Sequence, residues 1–375
     1  MKKIIMYNAD TNPSKITGGK RRFREILLGL LEAGYSVDLY ITDNYSIESS
    51  DLLERHTIKT TNSKVFPNGL LNLINNYSKL RKIRNKKYDA IIIFEIPYGL
   101  QLLFLGIRRN VVLFLRQDFR EYRKIYVNST RMPIVFKSAY LFMLKFIERV
   151  VIYNSNKIVV QSNYEKSILL KRYGLKSKLK EQNIEVLPNN VNPSWIKNRN
   201  RKQIPTRIKK IVFIGNLDDK RKGLDILLNA GVELFINGYN FSLEVFGSGK
   251  LLKHYKSMYD HYAFIRFNGY TLSPIEKICE SDLLVVPSLA DSFPNSVLEA
   301  IYTETIVFGS RVGGIPEILF YEELLFDPNS QSLQKKIECI INQPELIPEL
   351  QKLILKRKKE LTFNWVKKVL NIISN

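Results

Sequence analysis

The sequence predicts an α/β protein made of two doubly wound parallel-sheet domains in tandem. Three observations carry that expectation. Short apolar strands alternate with amphipathic helices; a stretch rich in Asn, Pro and basic residues, Leu187 to Arg207, interrupts the alternation; and the alternation then restarts. Strands that are apolar throughout belong to parallel sheets covered on both faces.

The N-terminus carries two lysines, but its apolar run is too short for a signal peptide, so Ile4–Asn8 is expected as a first buried strand. Lys20–Ala33 has helical periodicity and stops at Gly34, and Val37–Thr42 is the next strand. Further strands are expected at Ala90–Phe94, Val111–Leu115, Lys157–Gln161 and Glu185–Leu187, with helical patterns around Leu70–Arg84 and Tyr140–Tyr153. The linker is taken as residues 191–207. Beyond it come strands at Lys210–Ile214, Ser242–Phe246, Phe264–Phe267, Leu283–Pro287 and Ile306–Gly309. Helices at Gly223–Asn237, Ser273–Ser281 and Asn295–Thr303 connect them, and Ile347–Ile373 reads as one or two basic amphipathic helices. The domains are thus 1–190 and 208–350, followed by a C-terminal helix over 351–375.

A chain of 375 residues has room for two or three domains of about 150 residues. Its 45% hydrophobic and 25% charged residues exclude a disordered or collagenous chain. Two cysteines, Cys279 and Cys339, and three histidines, His56, His254 and His261, exclude a disulfide framework and a Cys/His metal cluster. The most apolar stretch, Ala90 to Ile107, contains Glu95, Pro97, Gly99 and Gln101, so no spanning helix is expected. The protein is expected in the cytoplasm, at most resting on a membrane. Lys and Arg total 58 against 36 acids, a net charge of +22, which implies an anionic partner: nucleotide, phospholipid surface or nucleic acid.

Open parallel sheets bind ligands at the carboxyl ends of their strands, and the motifs fall on the loops that follow strands. Thr17-Gly18-Gly19-Lys20-Arg21-Arg22 opens a helix and fits either an anion cradle or a flexible βα loop. Gly215-Asn216-Leu217-Asp218-Asp219-Lys220-Arg221-Lys222-Gly223 lies between a strand and a helix. It can place Lys222 on a diphosphate, or form a solvated turn capped by Asp219. The most informative segment is Pro287-Ser288-Leu289-Ala290-Asp291-Ser292-Phe293-Pro294-Asn295-Ser296-Val297-Leu298-Glu299. With Ser292 near the cap and Pro294 in the first turn, Asp291 sits in the loop and Glu299 in the second helical turn. The N–H groups of Ser296 and Val297 then point between two carboxylates, an arrangement suited to a phosphate flanked by sugar hydroxyls. Read structurally, the same segment is a capped core helix with a buried glutamate. Gly247-Ser248-Gly249 and Gly313-Gly314-Ile315-Pro316-Glu317 are weaker candidates on the same sheet edge.

Taken in order, these segments resemble family 4 retaining glycosyltransferases over nearly the whole chain. That resemblance implies the GT-B fold, two Rossmann-like domains facing across a cleft, with 1–190 binding the acceptor and 208–350 binding the nucleotide sugar. The C-terminal helix would cross back to the first domain. It further implies that Glu299 holds the nucleotide ribose and that Asp291 and the backbone after it, Phe293 to Val297, address the donor. Lys222 would contact the diphosphate, and Gly18-Gly19 would approach the phosphate. Asp291, Lys222 and Glu299 are the residues expected to carry catalysis.

Three departures from the family pattern stand out. Asn216 follows Gly215 where an arginine is usual, leaving Lys220 or Arg221 as substitute cations. Asp291 replaces the first glutamate of a Glu-x7-Glu pair. On the acceptor side, Gln117 or Asp118 occupies the place of a histidine.

The expected chemistry is transfer of a sugar from a nucleoside diphosphate to a glycan or lipid-linked acceptor in cell-surface polysaccharide synthesis. No Asp-x-Asp occurs in the sequence, and no metal or other cofactor is expected. Basic runs such as Arg116–Lys124 and Lys171–Lys180, interleaved with aromatic residues, point to an anionic membrane surface. Two other readings remain open: a non-catalytic GT-B homologue that binds nucleotide, and a basic nucleic-acid-binding protein. The latter lacks zinc spacing, a helix-turn-helix cue or an RNP-like strand, so no nucleic-acid partner is expected.

Overall fold

The computed structural model describes residues 2–8, 18–41, 50–58, 68–94, 96–116, 118–128, 133–174, 183–190, 204–218 and 220–374. They form two units, Met1–Pro188 with Asn364–Asn375, and Asn189–Phe363. Most of the expected linker, residues 191–203, lies outside the described residues.

The first unit runs β1 (Lys3–Asn8), α1 (Gly18–Glu32), β2 (Ser36–Ile41), β3 (Leu53–Thr57), α2 (Asn68–Arg84), β4 (Ala90–Phe94), α3 (Ile96–Phe104), β5 (Val111–Phe114), α4 (Phe119–Asn128), α5 (Ile134–Asn154), β6 (Lys157–Val160), α6 (Asn163–Tyr173) and β7 (Ile184–Val186). Its seven strands are ordered β3-β2-β1-β4-β5-β6-β7, and every pairing is parallel. All five residues of β4 and all four of β5 are buried, as a strand covered on both faces requires. β3, with the sequence Leu-Glu-Arg-His-Thr, is polar because it is the sheet edge, and this hid it from the apolar pattern.

The second unit runs β8 (Lys210–Ile214), α7 (Leu224–Ile236), β9 (Ser242–Phe246), α8 (Leu252–Tyr259), β10 (Ile265–Gly269), α9 (Pro274–Cys279), β11 (Leu283–Val286), α10 (Asn295–Tyr302), β12 (Ile306–Ser310), α11 (Ile315–Leu319), β13 (Leu325–Phe326), α12 (Ser330–Asn342) and α13 (Ile347–Leu361). Its parallel sheet has the order β10-β9-β8-β11-β12-β13. The chain starts in the middle at β8, winds outward to β10, then returns to the other side of β8 with β11. That reversal opens a crevice between the carboxyl ends of β8 and β11, where doubly wound sheets bind ligands.

The last helix, α14 (Trp365–Ser374), belongs to the first unit. It packs on α1: Gly29 leaves room for Val366, whose Cγ1 would lie 2.0 Å from an added Cβ, and Arg22 stacks 4.8 Å over the Trp365 ring. The sequence placed the change of unit at residue 351, whereas the structure places it at Asn364. α13 stays with the second unit because Ile347, Leu350, Ile354 and Leu361 complete its core and Arg357 binds the carbonyls of Ile318 and Glu317. Each unit has its own apolar core. No described helix is long and apolar enough to cross a membrane.

Candidate active site

Three loops at the carboxyl edge of the second sheet are held against one another, and Asp291 lies where they meet. The loop after β8 ends in a helical turn, Lys220–Lys222, closed by Gly223 at φ +65°. An added Cβ on Gly223 would stand 1.8 Å from the Pro287 carbonyl oxygen, so only glycine lets this loop lie against the one after β11. The Leu289 N–H donates to the Arg221 carbonyl at 2.6 Å. The Lys222 ammonium donates to Asp291 Oδ2 at 2.5 Å, with the two side chains 31% and 14% exposed. From β12, Gly313 at φ +57° packs on the Asp291 carbonyl, to which the Gly314 N–H donates at 3.1 Å. Lysine and carboxylate thus sit at the switch point of the sheet, four residues ahead of α10.

Helix α10 begins at Asn295 with Pro294 as its N-cap residue and no side-chain cap, so Ser292 is not the cap and Pro294 precedes the first turn. Proline has no side-chain acceptor to offer the first turn, whose N–H groups lack intrahelical partners. Asn295 is tied instead to Asn189, whose amide donates to Asn295 Oδ1 at 3.4 Å. Glu299 falls in the second turn and is 8% exposed. Phe293 and Val297, expected among the donor contacts, turn their side chains into the unit core. Both are buried, which leaves their backbones as the groups a ligand at the helix end could meet. Asn295 and Ser296 remain half-buried at the open helix end.

Asn216 is exposed, and its Oδ1 accepts from the Asp218 N–H at 3.0 Å. Asp218 in turn accepts from the Lys250 N–H at 2.7 Å, while the Leu217 N–H donates to the Ser248 carbonyl. Gly247 and Gly249 permit this stitching, since an added Cβ on either would meet backbone atoms of the Gly215–Asp218 loop within 2.2 Å. The Gly-Ser-Gly segment therefore buttresses the loop that carries Lys222. Arg221 is half-buried beside it, and Asp219 lies outside the described residues.

In the first unit, Gly18 and Gly19 are the opening residues of α1. Gln117 lies outside the described residues. Asp118 caps α4 through the N–H groups of Arg120 and Glu121, and its two oxygens take the Arg172 guanidinium at 2.9 and 2.6 Å. This position after β5 is therefore part of an ion-pair network. Glu148 of α5, 2% exposed, completes it with the Tyr173 hydroxyl at 2.5 Å and Arg120 and Arg172 within 4 Å. Burial pushes the Glu148 carboxyl up to about 7, against the lowering pull of Tyr173 and Arg172. Sequence reasoning missed Glu148, Arg172 and Tyr173.

Among the described residues, one group of side chains has the spacing of a metal site: Asp38, Glu54 and His56. Lys3 and Lys86 already pair with both carboxylates, and the Tyr88 hydroxyl donates to Asp38 at 2.6 Å. The negative charge a cation would need is met by ammonium groups. Burial would raise the Asp38 carboxyl, but these partners hold it below the ordinary range.

Two parallel-sheet Rossmann-like units, the second with a lysine–carboxylate pair at its switch point, define a doubly wound α/β architecture. Comparison with known families narrows this. The description "Glycosyltransferase Family 4" matches residues 16–195, and "Glycosyl transferases group 1" matches residues 208–343, together most of the chain. The chain belongs to the family 4 type of glycosyltransferases and has their GT-B fold.

Two uncharacterized glycosyltransferases of Methanocaldococcus jannaschii are similar to it. One is 29% identical over 230 residues, 58% of each chain. The other is 30% identical over 159 residues, 38% of this chain and 40% of the relative. The matches thus span about half the length of these curated relatives. Among solved structures, sucrose-phosphate synthase of Thermosynechococcus elongatus superimposes with a TM-score of 0.76 at 18% identity, over 99% of this chain and 97% of that one. WaaG, a glycosyltransferase involved in lipopolysaccharide biosynthesis, gives 0.72 at 16% identity over the whole of both chains. HepE of Anabaena, in complex with UDP, gives 0.65 at 12% identity over the whole of both chains. These structural likenesses show the fold.

Proposed function

We propose that this protein moves a sugar from a nucleoside-diphosphate donor to a hydroxyl of a glycan or lipid-linked glycan, retaining the configuration at the sugar carbon. The observation that carries the reading is the Lys222–Asp291 pair at the β8/β11 switch point, ahead of the open N-terminus of α10. The donor's diphosphate would displace Asp291 from Lys222 and take the ammonium and the first-turn N–H groups of α10 as its counter-charge. Glu299, one turn further on, would hold the ribose hydroxyls, and the released Asp291 would accept from a sugar hydroxyl.

In the reaction the bond from the sugar carbon to the diphosphate oxygen breaks, and its electron pair leaves with the diphosphate. The acceptor oxygen attacks the face just vacated, and its proton passes to the departing phosphate oxygen. The main contribution to rate is stabilisation of charge growing on the diphosphate. Lys222 and the α10 terminus supply it, so no step here calls on a metal ion. The net charge of +22 fits an acceptor presented at an anionic membrane, with the protein peripheral on its cytoplasmic face. A role in cell-surface polysaccharide synthesis is consistent with that placement. The neighbours described as a lipopolysaccharide glycosyltransferase and as a UDP complex support the donor and acceptor classes.

The test is a thermal-shift panel of nucleoside diphosphates and sugar nucleotides on wild type and Glu299→Ala. A ligand at about 100 times its Kd stabilises by about 2.7 kcal/mol. One base is expected to raise the wild-type transition by several degrees, with the shift lost in the variant. No response in a folded wild type would remove the donor-site assignment. Binding without turnover on any sugar nucleotide would favour the non-catalytic homologue.

A further inference from the structure

Helix α5 is apolar on both sides. Leu144, Val151 and Ile152 are buried in the first unit. Its outer side carries Ile134, Val135, Phe136, Phe142 and Phe146, which are between 63% and 80% exposed. At 100° per residue, Val135, Phe142 and Phe146 fall within about 40° of a single line along the helix. A surface helix ordinarily turns polar residues outward, and a run of this kind marks an interaction surface. The charged residues of α5 say what covers it. Lys145 and Arg149 are exposed and run along one side of the aromatic line. The helix has one acid, Glu148, which faces inward and is 2% exposed. α4, packed on α5, carries Arg123 and Lys124, the latter 3.9 Å from the exposed Glu121.

We propose that the outer face of α5 docks on an anionic phospholipid membrane. Phe142 and Phe146 enter the boundary between headgroups and acyl chains, and Lys145 and Arg149 reach lipid phosphates. The inference rests on the membrane-side placement given above and names the element that makes the contact. Apolar and basic residues on one helix face are what an anionic interface selects. A second copy of the chain fits less well. Two-fold pairing through this line would set Lys145 and Arg149 against their own equivalents with no exposed acid on the helix to offset them.

The experiment uses the full chain with phosphatidylcholine vesicles, with and without one-third phosphatidylglycerol, read by co-sedimentation. The wild type is expected to bind the anionic vesicles about tenfold or more tighter than the neutral ones, and less tightly as salt rises. Phe142→Gln/Phe146→Gln and, separately, Lys145→Glu/Arg149→Glu should each weaken that binding about tenfold. Both keep helix-compatible residues at exposed positions, and an unchanged melting transition confirms folding. Phe146→Trp should show emission that shifts to the blue on anionic vesicles and is quenched by brominated acyl chains. Anionic-vesicle binding retained by both double variants would overturn the assignment to α5 while leaving the membrane placement standing. A wild type that binds neither vesicle removes both. A dimeric wild type made monomeric by the phenylalanine variant, with vesicle binding unchanged, gives the face to a second copy and overturns the proposal.

Discussion

Lys222 and Asp291 are 69 positions apart in the chain and 2.5 Å apart in space. Lys222→Met removes the ammonium paired with Asp291 and is expected to abolish stabilisation by nucleoside diphosphate. Single-turnover transfer should fall about 10²–10³-fold, the scale of losing one donor to developing charge. Asp291→Asn keeps the shape and an acceptor oxygen, so it should preserve nucleotide stabilisation and lower transfer. A Lys222→Met protein that still melts higher with nucleoside diphosphate would end the assignment. Glu148 gives a second test. Its carboxyl, pushed up to about 7 by burial, is protonated in the folded state and ionised in the unfolded chain between about pH 4.3 and 7. Its contribution to stability is therefore full below about pH 4 and is lost as the pH rises through 7. The loss is on the order of 3 kcal/mol, and Glu148→Gln should flatten the wild-type decline in melting temperature between pH 5 and 8. An equal decline in both proteins would show that Glu148 does not carry it. The placing of Asp291 ahead of α10 and of Glu299 in its second turn was legible in the sequence because both stand in a dense local motif. Glu148, Arg172 and Tyr173 were not, since each is unremarkable alone and acquires meaning only beside Asp118.

At the scale of elements, the site depends on loops packed against one another. Gly223→Ala would place a Cβ 1.8 Å from the Pro287 oxygen at a positive φ, so the β8 and β11 loops must separate. A cost above about 2 kcal/mol is expected, together with loss of nucleotide stabilisation, measured by denaturant and thermal unfolding. A fully stable variant that still binds nucleotide would show the contact to be dispensable. α14 is the other dependent element. Trp365 is 4% exposed and Arg22, which stacks on it, 1% exposed. Trp365→Ala should cost about 3–5 kcal/mol, and that loss should appear in the unfolding of the first unit. The central strands were legible because a strand buried on both faces is apolar throughout. Edge strand β3 and the two-residue β13 were missed: one is polar by position, the other too short to show a period. α6 offered a signal that went unread, the Ser162-x-x-Glu165 start in which Ser162 caps the Glu165 N–H and Glu165 takes the Gln161 N–H.

For the molecule as a whole, each unit closes its own core, which predicts two unfolding transitions by calorimetry with nucleoside diphosphate raising one of them. A single transition whose calorimetric and van't Hoff enthalpies agree would show the units unfolding together. Two repeated βα patterns, their interruption near Leu187, and the positive charge were all readable from residue order. Each is a property of neighbouring residues: strand burial, helix period and turn chemistry act over a few positions, so they are written locally. The passage of the chain to the first unit at Asn364 instead of 351, the pairing of Lys222 with Asp291, and the engagement of Asp118 by Arg172 were decided by tertiary structure alone. So was the outward turn of the α5 aromatics, because a helix apolar on both sides has no period that says which side its own protein will cover. These facts depend on which surfaces the sheet order brings together, and energies of contact between distant residues leave no local trace.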